Sequence, residues 1–478
     1  MKNKLFTLLL SASLLAVSCD KDAELVEIPA SQIQTIVDVA VQTALATIDS
    51  SNSAIANAAA VAAADAATAA VIAGLSGQQE AIDAAVAAAL AAAAEAAANA
   101  PAEAEFVGIE GGVTFIDGSA TWTNDRIWMI SGKIVVRDGG VLNIQEGTIV
   151  KANIQTGIDA TVLVIATGGT INAVGTATAP IIFTDYSDEI TYADNGVSPN
   201  RLATDRGRWG SIVVLGNAIV GEDGGSDDIE GIAEGNTWTQ YGGTDGTESS
   251  GRMEYVSIRH SGQEIGGGNE LQGLTLGGVG SGTIIENIEI VGSEDDGIEI
   301  FGGSVNVTNL MIHFNGDDAI DLDEGYNGTI DNAVIVMDAD TDNAFEIDGT
   351  EDSTGAVKGE YTLQNVTVYG NSTQESSNPY GHWKSDATGL NSNIVYKNFL
   401  TGKVIEGIDA DTYAGQGTAT AVDQLLFNEF DFVGTETLTD VIGGTVADAS
   451  TWAEVVASQV TGTGADETVF GWTLYYQN

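Results

Sequence analysis

Five segments of this chain place an asparagine directly ahead of a β-rich tetrapeptide. They are Asn287 before IEIV, Asn309 before LMIH, Asn332 before AVIV, Asn365 before VTVY and, more loosely, Asn393 before IVYK, spaced by 22, 23, 33 and 28 residues. A repeat in the twenties with apolar alternation and glycine turns signals a solenoid, because each unit can bury its apolar face only against the next copy. A second strand follows in successive units, at Gly297–Phe301, Ala319–Asp323 and Ala344–Asp348. Period-two alternation predicts that Ile298, Ile300, Ile320, Leu322, Phe345 and Ile347 point inward and the intervening carboxylates outward. Segments beginning at Lys133, Val162 and Trp209 follow the same plan less regularly.

The repeat fills only the later part of the chain, since of 59 glycines only Gly74 and Gly77 precede residue 108. Lys2 and Lys4, the apolar run Leu5–Val17 and Ser18 form a secretory signal over residues 1–18, too short to span a membrane. Residues 19–30 then form an acidic tether and residues 31–106 an alanine-rich segment, which propensity predicts to be helical between Pro29 and Pro101. Seven-residue spacing in Ile48, Ile55, Ala62, Ala69 and in Leu75, Ile82, Ala89, Ala96 leaves two forms open: a self-associating coiled-coil stalk, or a hairpin folded at Gly74 to Gly77. The solenoid is expected over 107–430, with further coils and a cap over 431–478 built around Phe470–Tyr476. Sixteen basic against 68 acidic residues, 16 − 68 = −52, exclude binding of nucleic acid or an anionic membrane through a basic patch. One cysteine excludes internal disulfides and cysteine-rich metal clusters.

The string Ala16-Val17-Ser18-Cys19 resembles a bacterial lipobox, and Asp20-Lys21-Asp22-Ala23-Glu24 is similar to the surface-export signal of Bacteroidetes lipoproteins. The phrases APIIFT from Ala179, RWGSIVVLGNA from Arg208, MEYVSIRHSG from Met253 and SEDDGIEIFGG from Ser293 resemble the right-handed parallel β-helix lipoproteins of that group, distant relatives of the pectin-lyase-like superfold. The resemblance implies a mainly β chain forming a right-handed parallel β-helix after the alanine-rich α-helical stalk or hairpin. It also implies lipidation at Cys19, anchorage in the bacterial outer membrane with surface display, and an asparagine ladder in one turn of the helix. It says little about activity, because the superfold hosts lyases, hydrolases and adhesins.

Superposing the coils stacks Asp295, Asp317 and Asp342, then Asp296, Asp318 and Asn343, then Glu299, Asp321 and Glu346, with Asp323 above Asp348. Like charges directly opposite destabilise a sheet, so a compensating group is expected. The candidates are a hard cation such as Ca2+, with Asp295, Asp321, Asp323, Asp340, Asp342 and Asp348 as ligands, or raised pKa values suited to acid–base work. The run from Asp338 begins like an EF-hand but fails at Asn343 and Gly349. Asn315-Gly316-Asp317-Asp318 over Ser293-Glu294-Asp295-Asp296 resembles the polygalacturonase pattern, which implies catalytic roles for Asp317, Asp318 and Asp296, although the flanking histidine and basic clamp of that family have no counterpart here. The insertion after Asn365 offers Tyr380, His382, Trp383, Lys384 and Asp386 as a sugar-binding group, or else as residues that pack down on the sheet. Three functions therefore stand: a calcium-assisted glycan-binding or adhesive surface module, a polysaccharide hydrolase or lyase, and a purely structural surface protein.

Overall fold

The computed structural model describes residues 102–233, 235–265, 269–371, 380–399, 405, 407–408, 412–420, 423–442 and 446–477. The signal, the tether with Cys19 and the alanine-rich segment up to residue 101 lie outside the described residues. Where the description begins, the expected helical boundary at 106 is corrected, because Ala102–Ile116 is already a strand. After Pro101 the alanine run gives way to an alternating pattern that suits a pleated surface.

From there the chain winds as a parallel β-helix with three faces. The first sheet starts with Ser119–Trp122, Val141–Ile144 and Thr170–Val174, and the second contains Ile149–Ala152 and Ile181–Asp185. From Gly251–Arg259 onward, one longer strand per coil serves both: its first half pairs with Thr170–Val174 and its second with Ile181–Asp185. Ile284–Val291, Asn306–His313, Thr329–Val336, Tyr361–Tyr369, Gly389–Lys397 and Leu425–Val433 continue this stack, each parallel to the one before. Among the described residues the first sheet thus holds eleven strands, the last being Tyr413–Gln416, which pairs with the far edge of Leu425–Val433. The third sheet runs through Val162–Ile165, Ile212–Leu215, Leu274–Gly277, Ile298–Phe301, Ile320–Asp323, Phe345–Ile347, His382–Trp383 and Gly407–Ile408. Parallel crossovers of this kind are consistent with a right-handed coil.

The bend between first and second sheets falls on one residue per coil, which the pairing skips: Glu254 faces Glu286 and Val256 faces Ile288. That residue is left-handed throughout, at Tyr255, Asn287, Asn309, Asn332, Asn365, Asn393 and Glu429, with φ between 51° and 65°. Asparagine tolerates this conformation better than most residues. It also closes a ladder: Asn309 Nδ2 donates to Asn287 Oδ1 at 3.0 Å, Asn332 Nδ2 to Asn309 Oδ1 at 2.7 Å, and Asn393 Nδ2 to Asn365 Oδ1 at 2.7 Å. Across the longest spacing, Asn365 Nδ2 donates instead to Asp331 Oδ1 at 2.6 Å.

Two segments leave the coil and pack back on it. Residues 216–250 cross the outer side of the third sheet, where Ile229, Ile232, Trp238 and Tyr241 cover Val135, Val164, Val213 and Leu215. The end of the chain turns back along the second sheet. Gly464 N donates to Asn393 Oδ1 at 2.8 Å, Asp466 N to Asn332 Oδ1 at 2.7 Å and Leu474 N to Glu289 Oε1 at 2.6 Å, so the tail runs against the coil order. Phe470 packs on Met311, Val334 and Val336. Phe470–Tyr476 is therefore a strap on the flank, drawn there by apolar outward residues of the second sheet.

The bend makes a prediction about stability. Asn309→Ala forces an ordinary L-residue into the left-handed region, at roughly 1–2 kcal/mol, and removes ladder bonds worth about 1 kcal/mol each; Asn309→Gly spares the first cost. Urea unfolding should rank wild type above Gly above Ala, and equal losses would show that the backbone demand is not what selects asparagine.

A stacked carboxylate face as the candidate functional site

The outward column of the third sheet changes character along the helix. In register it reads Val135, Val164, Val213, Thr275, Glu299, Asp321, Glu346 and His382. The turns leading into the acidic strands add a parallel stack. Asp318 N donates to Asp296 Oδ1 at 2.8 Å, and Asn343 donates to Asp318 Oδ1 through its backbone N at 2.6 Å and its Nδ2 at 2.7 Å. Beside them Asp317 N reaches Asp295 O at 3.4 Å and Asp342 N reaches Asp317 O at 2.9 Å. Backbone stacking thus fixes the spacing of these carboxylates.

Four overlapping groups result: Asp295, Asp296 and Asp317; Asp296, Glu299 and Asp321; Asp317, Asp318 and Asp342; Asp318, Asp321 and Glu346. Within each, one oxygen per residue lies within 4.8 Å of the others. Calcium holds oxygens at about 2.3–2.6 Å, so two ligands of one ion are at most about 5.2 Å apart, and each group fits that limit. An all-oxygen set suits a hard cation rather than zinc or copper.

The carboxylates are also more enclosed than outward alternation implies. Glu299 is 7% exposed and Asp318 only 2%. Burial first, then neighbouring carboxylates, raises Asp296, Glu299, Asp318 and Asp321 well above the ordinary range. Burial and the Asp317 charge push Asp295 up to about 8; burial pushes Asp323 to about 7, and burial with Asp317 pushes Asp342 to about 6. Glu299 Oε2 and Asp321 Oδ1 are buried with no hydrogen-bond partner. The nearest basic group sits at one end, where Lys384 Nζ pairs with Glu346 Oε1 at 2.6 Å and Asp348 Oδ2 at 3.0 Å. Burial opposes ionisation of Glu346, but this ammonium keeps its carboxyl below the usual value.

The residues singled out from sequence divide three ways. Asp295, Asp296, Asp317, Asp318, Asp321 and Asp342 come together in the four groups. Asp323 lies two residues beyond Asp321, and Asp348 two beyond Glu346, just past the end of Phe345–Ile347, both outside those groups. Asp340 lies apart from them: its side chain is 78% exposed and faces Arg206 at 3.8 Å, beside an Arg206–Asp338 pair. In the expected sugar-binding group, His382 and Lys384 face outward beside Glu346, and Asp386 is exposed in a left-handed turn. Tyr380 and Trp383 are corrected from binding platform to core, at 3% and 0% exposure, with Trp383 packed inward, tilted against Phe345 and edge-on to Phe427. The sequence reading omitted Glu299 and Glu346 from its ligands although it had stacked them on Asp321. It missed Glu230, which accepts from Gln272 Nε2 at 2.6 Å, because nothing in the sequence shows that the excursion folds back to this face.

A protein-family model described as a pectate-lyase like β-helix domain matches residues 114–476, more than half of the 478-residue chain. No curated protein matches the chain and no solved structure matches it.

The raised carboxyls fix the sign of the pH dependence. A carboxyl whose folded pKa exceeds its unfolded value binds its proton more tightly in the folded state, so stability is highest below the unfolded pKa and falls as pH rises through the folded one. In chelator, melting temperature should therefore fall between about pH 4 and the region of Asp342, Asp323 and Asp295, near 6, 7 and 8. Thermal scans across this range in chelator check it; stability rising with pH would contradict the buried, repelling arrangement.

Proposed function

The chain belongs to the pectate-lyase-like β-helix domain family, and on that premise we propose that the stacked carboxylate face is a calcium-assisted glycan-binding surface. The observation that carries this reading is the pair of buried oxygens, Glu299 Oε2 and Asp321 Oδ1, that no hydrogen-bond donor reaches. A divalent cation there neutralises several carboxylates at once and keeps coordination positions open for sugar hydroxyls or a uronate carboxylate. It also turns a surface that would repel acidic polymers into one that bridges them. The signal at residues 1–18 and Cys19 support export, lipidation and display at an outer membrane, with glycans as the partner. The alanine-rich segment would serve as spacer and site of self-association.

A second reading, polysaccharide cleavage, draws on one feature. Asp317 is exposed beside buried Asp318 and beside Asp342, a carboxyl held near 6, so an ionised group and a protonated one can sit together at neutral pH.

Calcium titration of the exported chain by calorimetry should give binding that falls at least tenfold in Asp321→Asn, and a glycan column should retain wild type only with calcium. Equal melting temperatures in calcium and chelator, with no calorimetric signal, would end the cation reading. New reducing ends or unsaturated products, lost in Asp318→Asn, would replace binding with catalysis.

A further inference from the structure

A second group of carboxylates lies apart from that face and shares no residue with its four groups. The excursion over residues 216–250 leaves the third sheet after Ile212–Leu215, and its first turn reaches the end of Ile320–Asp323, three strands further along, or about 14 Å at ~4.8 Å per strand. The contact is made by backbone: Gly221 N donates to Glu324 O at 2.7 Å and Gly303 N to Ile219 O at 2.8 Å. It gathers Glu222 and Asp227 of the excursion around Glu324, with one oxygen of each within 4.8 Å of the others.

The Glu324 side chain shows that this is more than a solvated acidic rim. The residue is 4% exposed, and Tyr241 OH donates to its Oε1 at 2.6 Å. Its Oε2 is buried with no hydrogen-bond partner. A carboxylate taken out of water with one oxygen unmet, facing two further carboxylates, costs free energy unless positive charge joins it. Among the described residues no Lys, Arg or His forms an ion pair with Glu222, Asp227 or Glu324. Glu222 and Asp227 remain open to solvent, so waters can complete a six- to eight-oxygen shell.

We propose that Glu222, Asp227 and Glu324 bind a second divalent cation of the calcium type, and that this ion pins the excursion to the coil. The proposal does not rest on the glycan-binding reading, because the excursion covers the apolar part of the third sheet whether or not the acidic face binds anything. Calcium alone is the probe. Hydrogen–deuterium exchange of peptides spanning residues 218–232 should slow about tenfold in calcium at ten times the dissociation constant, relative to chelator. Glu324→Gln keeps an acceptor for Tyr241 and removes the charge. It should abolish the calcium effect and, in chelator, exchange no faster than wild type because repulsion is relieved. Asp321→Asn, on the other face, should leave the slowing intact. Unchanged exchange in wild type, slowing that survives Glu324→Gln, or slowing lost in Asp321→Asn would each overturn the proposal.

Discussion

A parallel strand laid in register on the next places each side chain about 4.8 Å from its counterpart, so every column of positions has to tolerate its own chemistry repeated. Inward columns meet this demand easily. Leu163, Ile212, Leu274, Ile298, Ile320 and Phe345 follow one another as a continuous core. The left-handed bend meets it with asparagine, which carries both a donor and an acceptor and can therefore bond to a copy of itself. A carboxylate carries only acceptors when ionised, so a carboxylate column cannot close in this way. The same stacking that makes the fold cheap to extend makes its acidic column costly.

That cost is distributed unevenly along the third sheet. Val164 and Val213 lie under the aromatic side of the excursion, which removes apolar surface from water. Beyond Thr275 the column is acidic, and the excursion still reaches it: Glu230, held by Gln272, adds its charge to that of Glu299. Covering an acidic column desolvates it without neutralising it, which is why Glu299 and Asp321 are displaced so far from ordinary carboxyl behaviour. The solenoid cannot relieve this by letting the groups move apart, because backbone hydrogen bonds hold their spacing. Only protons or cations remain.

The coil and its acidic stack were legible because both repeat. The 22- and 23-residue spacings aligned Glu299 over Asp321 and Asp296 over Asp318 from sequence alone, and the structure pairs them in that register. Where the spacing lengthened, the reading weakened. Tyr380 and Trp383 fell in an insertion and read as a loop, yet His382–Trp383 is a strand whose alternation sends Trp383 inward below Ile347 and His382 outward below Glu346. Continuing the period-two column through that gap would have found this. The return of the tail onto Asn332, and of the excursion onto Glu324, had no periodic signal, since both are single long-range contacts between unrepeated segments. Enclosure of Glu324 followed from the second of these contacts and was hidden for the same reason.

The gradient along the column also shows where the proposed cation would bind most tightly. At one end, Lys384 gives Glu346 and Asp348 a fixed counter-charge, and His382 stands beside Glu346. At the other, Thr275 and the valines carry no charge to neutralise. Unmet charge is greatest between these limits, at Asp296, Glu299 and Asp321, where the two buried oxygens without donors lie. Lysine cannot be placed at every strand without replacing the carboxylates themselves, so a built-in ammonium can close only the end of the column. An ion that exchanges with solvent can serve its centre, and it brings coordination positions that an ammonium lacks. On the proposed reading, a stack of this kind would recruit its ligand through a bound cation rather than by direct contact with the protein's own side chains.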